Sequence, residues 1–169
     1  MNNQQIFQML CDIINSYLIL FCHKKSITVN GTKRQAVKSL QDYIYNELNI
    51  RTSSSNWQIE YRHPSRPEND KVDIYNLINN YHWVIEIDAS RADQVAKKAF
   101  SRFALYGTGI STTPIFYVAV IYPGTKHMSS NEVIKFTKYG SEIATKMNKN
   151  NIFKTIMIDC NNCSINVLP

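Results

Sequence analysis

The sequence predicts an α/β fold: a mixed central sheet, an antiparallel meander continued by parallel strands, flanked by helices. Three observations carry this expectation. Alternation of apolar and polar residues at Trp57, Ile59 and Tyr61, and again from Lys71 to Asp88 around an Asn79-Asn80 turn, predicts three consecutive strands. Helical spacing from Ser90 to Leu105 and again after Ser129 predicts crossovers, each returning the chain parallel to the strand before it. Ile115 to Tyr122 is almost wholly apolar, which marks a strand buried on both faces in mid-sheet.

The length of 169 residues fits one domain, 1–169, and no linker, repeat or low-complexity tract divides it. An apolar fraction of 44% excludes a disordered chain. The net charge of +6 favours polyanionic partners. Cys160 and Cys163 form a CxxC, but Cys11 and Cys22 supply no matching pair, so free thiols in a reducing cytosol are expected ahead of a zinc site. The N-terminus lacks a basic segment and a small-residue cleavage site, and its longest apolar run, Tyr17 to Cys22, is too short to span a bilayer. A cytoplasmic protein without a membrane partner is expected.

Taken in order, Gln5 to Phe21 is a helix, its apolar end running on to Cys22, with Ile6, Met9, Leu10, Ile13, Ile14 and Tyr17 at helical spacing. A second helix spans residues 32–48. It starts at Gly31-Thr32 with a Thr32/Gln35 capping box and carries Ala36, Val37, Leu40, Tyr43, Ile44 and Leu48 on one side. Glu47 falls inside that apolar stripe: it either swings to water in the last turn or points toward an acidic site. The core from about 57 to 160 begins with the Trp57 to Arg62 strand and a turn-rich loop, His63 to Asp70. The Lys71 to Leu77 and Trp83 to Asp88 strands form the hairpin. A Gly/Thr/Ser loop, Leu105 to Pro114, leads to the apolar strand, which ends at Pro123-Gly124. Ser129 with Glu132 caps the next helix, and Phe153 to Ile158 is the last strand.

The hairpin carries the chemistry. Side chains alternate across a strand, so Glu86 and Asp88 share one face while Trp83, Ile85 and Ile87 take the other. Asp73 lies out of phase with Val72 and Ile74, and pairing by apolar faces brings all three carboxylates to one patch. Three acids at the end of a buried strand are costly unless a cation or a proton sits among them. Asp73 and Glu86, on adjacent strands, suit a hard cation such as Mg²⁺ or Mn²⁺, which takes one or two carboxylates, waters and a substrate phosphate. On the following helix, Ala92, Val95, Ala96, Ala99 and Phe103 form the core stripe, bordered by Arg91, Gln94, Lys98 and Arg102. Lys98 and Gln94 can therefore look back toward the acids, whereas Lys97 points to solvent.

Asp73, followed by a strand ending Glu86-Ile87-Asp88 and set between an N-terminal helix and a helical crossover, resembles the PD-(D/E)XK nuclease superfamily, the restriction-endonuclease-like fold. The resemblance covers roughly residues 32 to 160. It implies that Asp73 and Glu86 hold Mg²⁺, with the Ile87 carbonyl as a further ligand. A helix glutamate sometimes joins such sites, which suits Glu47. Two departures stand out: Val72 rather than proline precedes Asp73, and Asp88 occupies the place of the usual lysine. Some members supply that lysine from the following helix, a role that suits Lys98.

The resulting expectation is a Mg²⁺-dependent endonuclease hydrolysing DNA phosphodiester bonds, with a restriction-type enzyme one form of it. Asp73 and Glu86 bind metal, Asp88 assists or activates water, Lys98 steadies the scissile phosphate and Gln94 orients it. Arg62, His63, Arg66, Arg91 and Arg102 track the DNA backbone. A homodimer would suit symmetric cutting of a duplex. The alternative is an inactive nuclease-like module that binds nucleic acid or a protein.

Overall fold

The computed structural model describes residues 1–22, 33–52, 56–62, 71–88, 91–107, 113–121, 129–159 and 162–168. Among the described residues, the helices α1 (Asn3–Cys22) and α2 (Lys33–Arg51) come first. The strands β1 (Gln58–Arg62), β2 (Lys71–Ile78) and β3 (Tyr81–Asp88) follow. The chain then forms α3 (Ala92–Gly107), β4 (Ile115–Ile121), α4 (Ser130–Met147), β5 (Ile152–Asp159) and β6 (Ser164–Leu168). The expected helix start at Gly31-Thr32 and strand stop at Pro123-Gly124 lie outside the described residues, as does Cys160.

The six strands lie side by side in chain order. β1, β2 and β3 form the antiparallel meander, β3, β4 and β5 run parallel, and β6 returns antiparallel to β5. This is the mixed α/β sheet that the sequence predicts, with β6 as an addition. All seven residues of β4 are buried, as its unbroken apolar run requires of a strand covered on both faces. β6 had no comparable signal: it is a short, half-exposed edge strand. α3 also runs two residues beyond its expected end at Leu105.

Two cores sandwich the sheet. On one face α1 and α2 bury Ile6, Leu10, Ile14, Leu40, Ile44 and Leu48 against Ile74, Trp83, Ile85, Ile87 and Val118. On the other face Val95, Ala99 and Phe103 of α3 and Val133 and Ala144 of α4 meet Val84, Tyr117, Ala119 and Phe153. The split follows the strand parity of β3 and assigns Glu86 and Asp88 to the α3 side. The β2–β3 hairpin closes through Asn79 and Asn80, both left-handed (φ 53° and 58°), the conformation of a type I′ turn that asparagine tolerates. The Ser129 hydroxyl accepts from the Glu132 N–H at 3.3 Å, the cap the sequence predicts for α4. Burial pushes the Cys11 thiol up to about 11. Among the described residues no helix is long and apolar enough to cross a membrane.

α4 approaches β5 closely at Gly140. A Cβ there would stand 2.6 Å from the Phe153 ring, which stacks on the fully buried Tyr117 ring at 5.3 Å and has little room to withdraw. Gly140→Ala should therefore destabilise the protein by on the order of 1 kcal/mol, because overpacking costs about 1–3 kcal/mol and exceeds the helix-propensity gain of about 1 kcal/mol. Urea unfolding of Gly140→Ala, Phe153→Leu and the double variant checks it: the double variant should lose less than the sum of the two single changes.

Candidate functional site

The site sits at the carboxyl end of β3, where the antiparallel meander meets the parallel strands. The paired register of β2 with β3 runs from Ile78↔Tyr81 to Ile74↔Ile85 and stops there. Beyond it the Asp73 carboxylate accepts the Ile87 N–H at 2.7 Å, a side chain taking the place of a ladder carbonyl. On the other side of β2, Glu60 is left-handed (φ 54°), and the β1–β2 register passes over the Glu60–Asp73 position. Val72 consequently packs in the α3/α4 core, whereas Ile74, two residues on, packs in the α1/α2 core. Strict alternation through Val72, Asp73 and Ile74, expected from sequence, is corrected: the strand changes phase at Asp73.

Asp73 and Glu86 line one cavity of about 370 Å³ together with Lys71, Lys97, Lys98, Ser101 and Arg102. Glu86 is 2% exposed. Its Oε1 accepts the Arg102 Nε at 2.8 Å, and its Oε2 lies 3.3 Å from the Lys98 ammonium. Lys98 also stands 3.3 Å from Asp88 Oδ2, so one ammonium from α3 bridges the two strand acids. Arg102 and Lys98 are four residues apart and share a helix face, with Val95, Ala99 and Phe103 pressing the same helix onto the sheet.

Electrostatics rank the groups. Burial and then the Glu86 charge push the Asp73 carboxyl up to about 7, with the Ile87 N–H and Lys98 offsetting them only in part. Burial alone would lower Lys98, but Glu86, Asp88 and Asp73 outweigh it and hold the ammonium charged well beyond neutral pH. Two cations thus answer two of three carboxylates, and the deficit remains at Asp73.

Other expected residues lie elsewhere. Glu47 does not reach the acids: both Nε and Nη2 of Arg51, four residues on, hold Glu47 Oε2 at 2.9 Å, on a helix packed against the opposite face of the sheet. Arg102 is not a surface contact for DNA. It is 5% exposed and committed to Glu86 and, at 2.8 Å, to the Lys71 carbonyl. Gln94 is half-buried and is not among the residues lining the cavity. Arg91 is exposed and paired with Asp93 at 2.8 Å; Lys97 stands at the cavity rim with its ammonium 3.0 Å from Asp93. Arg62 is exposed at the end of β1, and His63 and Arg66 lie outside the described residues. Two residues missed in the sequence support the site. Gln41 of α2 donates to the Asp73 carbonyl at 2.9 Å and to Glu60 at 3.2 Å, and Tyr117 stands on β4 two residues before Ala119, the register partner of Glu86. Gln41 left no signal beyond being a polar residue between apolar positions, and Tyr117 reads as one more apolar residue of β4.

Among the described residues, no group of three or more His, Cys, Asp and Glu side chains is arranged to hold a metal ion. No protein-family model, curated protein or solved structure matches this chain.

Two outcomes follow from the electrostatics. The Asp73 carboxyl titrates near 7 in the folded protein against an ordinary 3.8, so the folded state keeps a proton that the unfolded chain has released. Its contribution to stability is full at low pH and is lost as pH rises from about 4 through 7, by up to about 1.4 kcal/mol per pH unit before solvent screening. Relative to Asp73→Asn, the wild type should therefore weaken across that range in urea titrations; a pH-independent difference would disprove the shift. Arg102→Ala leaves Glu86 buried without its closest cation and should cost about 3–5 kcal/mol. Lys98→Ala should cost less in the same assay, because Lys98 is one-third exposed and water can replace it.

Proposed function

We propose that this chain is a divalent-cation-dependent endonuclease of the restriction-endonuclease-like class, hydrolysing phosphodiester bonds in DNA with Mg²⁺ or Mn²⁺. The observation that carries the reading is the Asp73–Glu86 pair facing one cavity, with Lys98 of the next helix set against both Glu86 and Asp88. The sheet order, with an antiparallel meander feeding parallel strands and the acids at their junction, agrees with it.

The donor chemistry suits a hard cation. Mg²⁺ takes one or two carboxylates and completes its shell with waters and phosphate oxygens. Asp73 and Glu86 supply the carboxylates. The Ile87 carbonyl leaves the strand on the same edge as its N–H, which points to Asp73, so it is the natural third oxygen. An elevated Asp73 pKa marks a carboxylate short of positive charge. Once bound there, the cation supplies Lewis acidity and a water of lowered pKa.

This chain's own groups do the rest. Lys98, fixed in its charged state, stabilises negative charge developing on the phosphate. Asp88, held by the same ammonium, orients the attacking water. Arg102 anchors Glu86 through its Nε at 2.8 Å. The basic net charge and exposed Arg62 and Arg91 favour a polyanionic substrate.

A second reading, a nuclease-like module without activity, has its own support. Lys98 and Arg102 already neutralise two acids, and one proton on Asp73 balances the cluster without metal.

Incubation with supercoiled plasmid separates the two. Cleavage should require Mg²⁺ or Mn²⁺, disappear in Asp73→Ala and Glu86→Ala, and fall by about 10²–10³-fold in Lys98→Ala. Cleavage surviving either acid substitution would refute the assignment. DNA retention without cleavage under any divalent ion selects the inactive module.

A further inference from the structure

The Tyr117 hydroxyl is fully buried and has no hydrogen-bond partner among the described residues. Such a group costs about 1–3 kcal/mol over a phenylalanine of the same shape, so its presence calls for a role. Its surroundings supply one. Tyr117 projects from β4 on the α3 side, in register with Val84, two residues before the Ala119 that lies beside Glu86. Its ring stacks on Phe153 at 5.3 Å and tilts against Phe103 at 5.7 Å, which leaves the ring little freedom to turn away. The charges acting on the hydroxyl are Glu86 first, then Asp88, Arg102 and Asp73, four charged groups of the site.

Glu86 has capacity for this donor. A carboxylate offers about four lone-pair positions, and Arg102 and Lys98 take one on each oxygen. A divalent cation shared with Asp73 would draw on the same oxygens and weaken one of those ion pairs by competition.

We propose that Tyr117 is a positioning residue for Glu86: its buried hydroxyl donates to the Glu86 carboxylate when a divalent cation binds and fixes the oxygen that faces the metal. The idea rests on the metal-dependent reading of the site. It explains why a phenol stands where a plain aromatic ring would pack as well. It assigns the positive charges and the phenol different tasks: Arg102 and Lys98 hold Glu86 when metal is absent, and Tyr117 holds it when metal is present.

Mn²⁺ binding by calorimetry and melting with and without Mn²⁺, on wild type, Tyr117→Phe and Phe103→Leu, test it. In the metal-free state Tyr117→Phe should melt at the wild-type temperature or above it, because no hydrogen bond is lost. Its Mn²⁺ affinity should fall about tenfold or more, the scale of a hydrogen bond to a charged group. Phe103→Leu disturbs the same packing while keeping the hydroxyl, so it should lower the melting temperature and leave Mn²⁺ affinity close to wild type. Equal Mn²⁺ affinity in wild type and Tyr117→Phe overturns the Tyr117 role alone and leaves the metal site standing. A metal-free Tyr117→Phe that melts lower also overturns it, since the hydroxyl then has a partner already. Wild type without any Mn²⁺ response sinks the metal reading, and this inference with it.

Discussion

The buried ion pair between Glu86 and Arg102 is the constraint on which the site depends. Two groups that water would solvate strongly are held at 2.8 Å, one 2% and the other 5% exposed. Such a pair does little for net stability, since desolvation roughly cancels attraction, yet neither partner can be removed cheaply. It also sets geometry. Arg102 donates to the Lys71 carbonyl as well, so one side chain fastens α3 to both strands of the hairpin. That fastening brings Lys98, one turn earlier, over Glu86 and Asp88. A helix held by Val95, Ala99 and Phe103 alone could slide on an apolar surface; the guanidinium prevents it.

Asp73 is the group the pair leaves unanswered. Its carboxylate has left the strand's regular pattern and accepts a main-chain N–H of the neighbouring strand. A carboxylate that both ends a ladder and faces a second carboxylate is placed by the backbone, not by its own rotamer alone. Gln41 reinforces this from the other side by holding the Asp73 carbonyl. The acid is therefore oriented before any ligand arrives, which is the condition for tight binding of a cation or of a proton.

Much of the fold was legible because its signals are local or strongly periodic. The unbroken apolar run of β4 marks a central strand, Asn79-Asn80 marks a left-handed turn, and the helical wheel of α3 separates Lys98 from Lys97. The misreadings share a cause: each depended on where one element sits over another. Glu47 looked misplaced on its wheel, but Arg51 one turn later satisfies it. Arg102 looked like a surface cation because arginine usually is one; only the placement of α3 over Glu86 buries it. Val72 changed face because the ladder breaks at Asp73, which no alternation rule reports. β6 is too short and too exposed for periodicity to mark it.

The acid at position 88 changes what the lysine can do. A lysine two residues after Glu86 would share its strand and face; here that place is an aspartate, and the ammonium arrives from the helix above. Three carboxylates surround it, and their combined attraction overrides the burial that would otherwise favour its neutral form. Lys98 therefore remains an ammonium throughout the neutral range and serves as a fixed charge, not as a base. Proton exchange near neutrality falls instead to Asp73, the carboxyl poised close to 7. A cation at Asp73 has to displace that proton, so in the proposed reading metal affinity and proton occupancy are two sides of one equilibrium.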